Sequence, residues 1–313
     1  MIFPNRRISN DALKLMNSVL FELVEYERGE DHPIVNKARK TLSKRYNKEY
    51  VYFTERGNLA LHIALNRAGK KVGIPDQGGW KDFKRLCKEN KKEIIDIKTK
   101  NGIIDSLDRE MDALLICGSS GYIAEQPDLT YEIAREKDIL IIEDVSGIPF
   151  ARGDIIFLST GSPKLINLGF GGVIMADEPI EFRHLLRTNP LHCAGIVGEL
   201  KNIDYIYELY CRYNDKIRKA FEEMNIECLH KERRGIVTAV KCDNSVTDLF
   251  RYKTDLNKRF VMKCPRYERF MGEGLTIELK RLDPFKLTED HVQKIIDELG
   301  DLIEDVSKSC GGN

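Results

Sequence analysis

Apolar positions in residues 1–47 recur with helical spacing. Ser9 or Asn10 can cap a helix that carries Leu13, Met16, Leu20, Leu23 and Val24 on one face, with Gly29 after its end. A second helix is predicted from Ile34 to Asn47. From Val51 onward, short apolar runs alternate with helical stretches. Val51–Phe53, Val72–Ile74, Glu93–Ile97, Ala113–Cys117, Ile139–Glu143, Ile155–Leu158 and Val173–Ala176 are predicted strands. Gly57–Ala68, Trp80–Glu89 and a stretch near Asp128–Glu136 are predicted helices. Ile139–Ile142 is apolar at every position, as expected of a strand covered on both faces. Such alternation predicts an α/β domain with a mostly parallel sheet. After Pro179 the rhythm changes. A long helix is predicted over Glu199–Met224, through Ile203, Ile206, Leu209, Tyr210 and Tyr213. Strands follow at Ile236–Lys241, Phe260–Met262 and Leu275–Leu279, then an amphipathic helix from near Thr288 bearing Val292, Ile295, Ile296, Leu299 and Leu302. The expected division is an N-terminal helical segment (1–47), a large domain (48–198), and the long helix with a small α+β domain (199–313).

Composition narrows the function classes. The chain is 42% hydrophobic and 32% charged, enough to bury a sizeable core, and its 50 basic and 50 acidic residues cancel. A balanced charge argues against a general nucleic-acid or membrane surface. No apolar run approaches the ~20 residues of a membrane span, and Met1–Arg7 lacks the apolar core of a secretion signal. A soluble, cytoplasmic protein is expected. Eight cysteines form no C-x-x-C pair and, with six scattered histidines, no zinc spacing, so no metal site is expected and the cysteines are read as thiols.

Three features carry candidate chemistry. In Thr54-Glu55-Arg56-Gly57-Asn58-Leu59-Ala60 a strand turns into a helix. Helix N-terminal amides and the helix dipole favour an anion there, Gly57 lets the backbone approach closely, and Arg56 and Asn58 add polar reach. Glu143-Asp144 ends an apolar strand, the place where ligands collect on an α/β sheet. A carboxylate there can hold a pyridine nitrogen protonated. Lastly, the strand Ile155–Leu158 leads into Ser159-Thr160-Gly161-Ser162-Pro163-Lys164, followed by Gly169-Phe170-Gly171-Gly172. A lysine held beside a cationic ring can lose its proton and attack an aldehyde. Taken singly, each feature has an ordinary reading: a turn glycine, a solvated carboxylate, a surface lysine.

Taken together, they resemble the DegT/DnrJ/EryC1/StrS aminotransferases, fold-type-I enzymes dependent on pyridoxal 5'-phosphate (PLP). The resemblance lies in the ten residues from Asp154 to Lys164, in Ser159, in the glycine turn after the lysine, in Arg56-Gly57-Asn58-Leu59-Ala60-Leu61-His62 at the place of the family's Ser-Gly-Thr-Ala-Ala-Leu-His, and in Glu143-Asp144 at its Glu-Asp. It extends over nearly the whole chain, through Gly198-Glu199-Leu200 to Leu275–Leu279 and Leu287-Thr288-Glu289-Asp290. It implies a three-layer α/β fold with a mostly parallel central sheet and a smaller α+β C-terminal domain. It also implies a homodimer, with a small-molecule amino donor and a keto acceptor of a class that includes nucleotide-linked keto-sugars. By position, Lys164 would carry PLP as a Schiff base and Asp144 would pair with the pyridine nitrogen. Gly57, Asn58 and Ser159 would hold the phosphate, and Trp80, the only tryptophan, would stack on the ring or serve as ordinary packing. Arg187-Thr188-Asn189-Pro190-Leu191-His192-Cys193-Ala194-Gly195 departs from the family's Gly-Tyr-Asn-Tyr-Arg-Met, with Asn189 the candidate substitute. Arg266, Arg269 and Arg281 are open as substrate-carboxylate partners or as surface charges. Two other readings remain: a PLP-dependent lyase or desulfurase using Cys310, and a non-catalytic binding protein on the same fold.

Overall fold

The computed structural model describes residues 3–26, 32–181, 188–253 and 260–310, with the side chains of 251–253 and 310 outside the description. Two helices open the chain, α1 (Asn10–Glu22) and α2 (Pro33–Tyr46). Then follow β1 (Tyr50–Thr54), α3 (Gly57–Leu65), β2 (Lys71–Pro75), α4 (Phe83–Glu89), β3 (Glu93–Ile97) and β4 (Ala113–Cys117). A short hairpin of β5 (Ser119–Ser120) and β6 (Ala124–Glu125) precedes α5 (Asp128–Glu136), β7 (Leu140–Asp144), β8 (Ile155–Ser159) and β9 (Gly172–Ala176). The chain ends with α6 (Pro190–Leu200), α7 (Ile203–Glu223), β10 (Thr238–Val240), α8 (Ser245–Lys253), β11 (Val261–Cys264), β12 (Gly274–Ile277) and α9 (Glu289–Cys310).

Seven strands form the main sheet in the order β1-β9-β8-β7-β4-β2-β3. Only β9 runs against its neighbours, so the sheet is mostly parallel. Alternation along each strand assigns the two faces. Ala113 and Leu115 of β4, Ile142 of β7, and Ile155 and Phe157 of β8 pack with α3 and α4. Leu114, Ile116 and Ile141 pack against Tyr131 and Ala134 of α5 on the other face. A larger core joins that side to α1, α2, α6, α7 and the three-stranded sheet β10-β12-β11 with α9. Helices on both faces of one sheet give three layers, and the small antiparallel sheet with its helices is the α+β C-terminal part.

Two expectations are corrected. The long helix predicted over Glu199–Met224 is broken: α6 stops at Leu200, and α7 begins at Ile203 after a turn at Lys201-Asn202. Residue 198, the expected end of the large domain, lies inside α6, a helix whose start at Pro190 was not predicted. The apolar face expected of the N-terminal helix is buried only in part, through Met16 and Leu23, which pack half-buried against the core. Ala12 and Val19 are buried, whereas Leu13, Leu20, Phe21 and Val24 are exposed, Phe21 at 79% and Val24 at 88%. By contrast α9 buries Val292, Ile295, Ile296, Leu299 and Leu302 as its periodicity predicts. Helix α8 was not predicted, and Gly29 and Arg187 lie outside the described residues.

Candidate active site

The parallel sheet sends the ends of β7 and β8 to one edge, and side-chain parity does the rest. Asp144 shares the face of Ile142 and Ser159 that of Phe157, so both turn toward α3. Glu143, one residue earlier, turns the other way. It accepts hydrogen bonds from the Tyr131 hydroxyl (2.6 Å) and the amides of Arg152 and Gly153 (2.7 and 2.8 Å), and is fully buried. Glu143 is therefore a structural carboxylate. Asp144 is 8% exposed and accepts from the Ser146 amide at 2.9 Å, with the Cys117 thiol 3.9 Å from its other oxygen.

The spacing from Asp154 to Lys164 has a physical cause. Asp154 sits at the start of β8, where it accepts from the Ile141 amide at 2.8 Å. The five residues of β8 cross the sheet, roughly 17 Å at ~3.3 Å per residue. The turn after Ser159 then carries Lys164 to the far edge, beyond a cis Ser162–Pro163 bond. That turn is pinned from below. The Thr160 hydroxyl donates to the Phe170 carbonyl, and His192 Nε2 lies 2.9 Å from the same hydroxyl. Because that hydroxyl has a single proton, already committed to Phe170, His192 must donate through Nε2. Burial lowers the His192 pKa to about 4, so the ring is neutral in the neutral pH range.

One cleft of about 410 Å³ is lined by Gly57, Asn58, Trp80, Asp144, Ser159 and Lys164 together with Arg56, Gly161, Ser162 and Phe170. All six residues singled out in the sequence thus converge. Gly57 opens α3 against Ser159; a Cβ on it would lie 2.7 Å from Ser159 Cβ. The Leu59 and Ala60 amides of α3 bond the Arg56 carbonyl, which leaves the Gly57 and Asn58 amides at the helix start for an anion, with the Ser159 hydroxyl and Arg56 beside them. The Asn58 side chain has another task. Its oxygen accepts from Trp80 Nε1 (3.0 Å), and its nitrogen donates to Asp82 (2.7 Å), so only its backbone N–H is available to an anion. That bond holds Trp80 at the cleft, with Lys164 Nζ 5.4 Å from its ring, and Trp80 is not an interior aromatic. Asn189 caps α6, its side-chain oxygen accepting from the Leu191 amide at 2.9 Å.

Tyr122 escaped sequence reasoning. Lys164 Nζ donates to its hydroxyl. The residue sits at the tip of the β5–β6 hairpin with φ 63°, a left-handed conformation uncommon for a bulky side chain. Its ring fills space left by Gly147, where a Cβ would lie 2.2 Å from Tyr122 Cδ1. Neither a Gly-Tyr pair in a turn nor a glycine after Ser146 signals this pairing, since it joins segments that only folding brings together. Burial works against charge on Lys164, but Tyr122 and Asp144 outweigh it and hold its pKa above the ordinary lysine value. Cys117, beside Asp144, has its thiol pushed well up, by burial first and by the Asp144 charge second. It is a thiol rather than a nucleophilic thiolate. The cysteine of the desulfurase reading, Cys310, has its side chain outside the described residues.

Behind Tyr122 lies a second charged set from the small domain. Arg269 places Nε and Nη2 2.9 and 2.8 Å from Glu278 Oε1, and Arg281 Nε lies 2.6 Å from Oε2. Lys280 is buried next to them. Arg269, left open in the sequence as a surface charge, is 4% exposed.

Comparison with known proteins places this geometry. Residues 204–300 match the model of the MJ1341 family C-terminal domain. No curated protein matches the sequence. Among solved structures, a DegT DnrJ EryC1 StrS aminotransferase from Brucella abortus superposes with a TM-score of 0.71 at 13% identity, covering 93% of this chain and 96% of that one. The chain has the type I fold of PLP-dependent transferases. NtdA from Bacillus subtilis, with bound cofactor PMP, gives 0.73 at 16% identity over 95% of this chain and 83% of that one. The cysteine desulfurase of Thermococcus onnurineus gives 0.69 at 9% identity over 96% and 93%. One fold thus serves both amino transfer and desulfuration, and the site must decide the chemistry.

The residues fit a phosphorylated pyridine aldehyde. There is a helix N-terminus with a hydroxyl and an arginine for the phosphate, a carboxylate for the ring nitrogen, an aromatic face for the ring, and one lysine for the aldehyde.

Proposed function

We propose that this chain is a PLP-dependent aminotransferase that moves an amino group from an amino acid donor to a keto acceptor, the acceptor class including nucleotide-linked keto-sugars. The observation that carries the reading is the meeting of Lys164, Asp144, Trp80, Ser159 and the start of α3 in one cleft. When bound, PLP supplies an electron sink for breaking bonds at the substrate carbon. The chain's own residues do the rest. Lys164 Nζ would hold the aldehyde and, once released from it, would take up and give back a proton at its own nitrogen. Asp144 holds the proton on the ring nitrogen. Gly57 and Asn58 give backbone N–H groups, and Ser159 a hydroxyl, to the phosphate. Trp80 covers the ring and excludes water, oriented by Asn58.

We further propose a cytoplasmic homodimer that encounters neither nucleic acid nor membrane. No helix among the described residues is long and apolar enough to cross a bilayer. The exposed Leu13, Leu20, Phe21 and Val24 of the N-terminal segment, with Phe170 at the cleft, offer apolar surface for a second copy. Light scattering on the purified protein checks this; a monomer at micromolar concentration rejects it.

The central test is spectroscopic. Adding PLP should give a visible absorbance band and quench Trp80 fluorescence, and Lys164→Ala should lose the band. A screen of amino donors should then convert the band to that of the amine form. An unchanged band in Lys164→Ala would overturn the cofactor assignment. Sulfide release from cysteine without that conversion would favour the lyase reading. Binding of PLP with no conversion by any donor would favour the non-catalytic one.

A further inference from the structure

Lys164 is not the only amine at Tyr122. Lys280 Nζ lies 3.9 Å from the centroid of the Tyr122 ring, Lys164 Nζ 4.9 Å and the Arg269 guanidinium carbon 5.1 Å. Lys280 is 3% exposed, so a charge on it would sit out of water. Its counter-charge is already in use: Glu278 takes Arg269 and Arg281 at 2.6 to 2.9 Å, while Lys280 Nζ is 3.9 Å from Glu278 Oε2, beyond hydrogen-bond reach. The charged groups facing Lys280 are therefore Glu278 and Arg281 from its own turn, Arg269 from the segment after β11, Tyr122 from the β5–β6 hairpin, and Lys164 from the turn after β8. Three of these five are cations.

We propose that Lys164 and Lys280 form a coupled pair that holds one positive charge between them at Tyr122, making Lys280 a positioning residue that sets the protonation state of the Lys164 nitrogen. Two buried ammonium groups at one ring repel in a medium of low effective dielectric, and the proton goes to the better-supported amine. Lys164 has that support in the Tyr122 hydroxyl and Asp144. Lys280 does not: burial first, and Arg269 next, push its amine well below the ordinary lysine range. When Lys164 Nζ is engaged by a carbonyl ligand and gives up its proton to solvent, the repulsion falls and Lys280 takes one up from solvent. Lys280 then disfavours the return of a proton to Lys164, which keeps that nitrogen ready for exchange with an incoming amine. This last step rests on the proposed PLP chemistry; the coupling itself does not.

The test separates the two. The unloaded protein is reductively methylated with a carbon-13 label, and the lysine resonances are titrated by NMR. Lys280, assigned by its loss in Lys280→Met, should titrate well below the bulk lysines. In Lys164→Met its proton affinity should rise by about tenfold or more. Lys280 titrating with the bulk lysines, or unchanged in Lys164→Met, overturns the proposal. In PLP-loaded protein, the pH midpoint of the visible band should rise by about tenfold in proton affinity in Lys280→Met, and likewise in Lys280→Gln should the methionine variant fold poorly. A band that forms but titrates as in the unaltered protein also overturns it. Absence of any band counts against the cofactor assignment alone, and the NMR titration still decides the pairing.

Discussion

The cleft and the Glu278 cluster lie on two sides of Tyr122, and they use buried charge in opposite ways. In the cluster, Glu278 is fully buried and both of its oxygens are taken at short range. Burial disfavours its charge, but Arg269 and Arg281 outweigh that and hold its pKa far below the usual carboxylate range. In the cleft, Asp144 has one amide and a weak thiol contact, and its remaining capacity faces open space. Saturated charges fasten a fold; charges left with spare capacity beside a cavity are available for a ligand. Glu143 and Asp144 repeat the contrast within one strand, on opposite faces.

The comparison breaks most sharply on activity. Lys164→Ala should cut turnover by at least about a thousandfold while the melting temperature stays within a few degrees, since the lysine holds up no core. A variant that keeps turnover, or melts far below the unaltered protein, would move Lys164 into the structural set.

Glu278→Gln should do the reverse. It leaves Arg269 and Arg281 without a counter-charge in a buried site, a loss of about 3–5 kcal/mol measured by urea unfolding. Equal stability of the two proteins would show that the cluster is not a fastening.

A third probe lies under the lysine turn. His192 has its pKa lowered to about 4 by burial, against 6.5 unfolded. Between those values the unfolded chain binds a proton that the folded one refuses, so stability falls as pH drops from about 6.5 and the loss is complete near 4. The full effect is about 3 kcal/mol. His192→Gln can still donate to Thr160 but does not titrate; its unfolding free energy should lack that acid-side slope. The same slope in both proteins would assign the acid sensitivity elsewhere.

The large sheet was legible from local pattern, and the six cleft residues from that pattern joined to the family resemblance. Strand parity puts Asp144 and Ser159 on one face, and the length of β8 sets the interval from Asp154 to Lys164. Legibility failed where tertiary contact decides. The apolar stripe of α9 is buried at every expected position, whereas that of the N-terminal segment meets the core only through Met16 and Leu23. α1 instead packs its small side against α6, where a Cβ on Gly198 would lie 2.3 Å from Ala12 Cα. The Glu199–Met224 pattern ran on through the break at Lys201-Asn202 because the apolar spacing is uninterrupted there. Tyr122 was invisible for a related reason: its partner Lys164 is 42 residues away, and no local motif fixes such a pair.

The smallest expected effect lies at the cleft mouth. Asn58 spends its side chain on Trp80 and Asp82, which makes it a support for the stacking ring more than a phosphate ligand. Asn58→Ala removes the acceptor for Trp80 Nε1, a loss of about 1 kcal/mol for one partly exposed hydrogen bond. Trp80 is the only tryptophan, so its fluorescence reports the cleft directly. In the variant its emission should shift to the red and its quenching by iodide should increase, with PLP affinity falling about fivefold and the phosphate contact through the 58 amide retained. Replacement by Asp keeps an acceptor oxygen for the indole but places it against Asp82, and should restore the emission only at acidic pH. Unchanged emission in Asn58→Ala would return Asn58 to the phosphate and leave Trp80 held by packing alone.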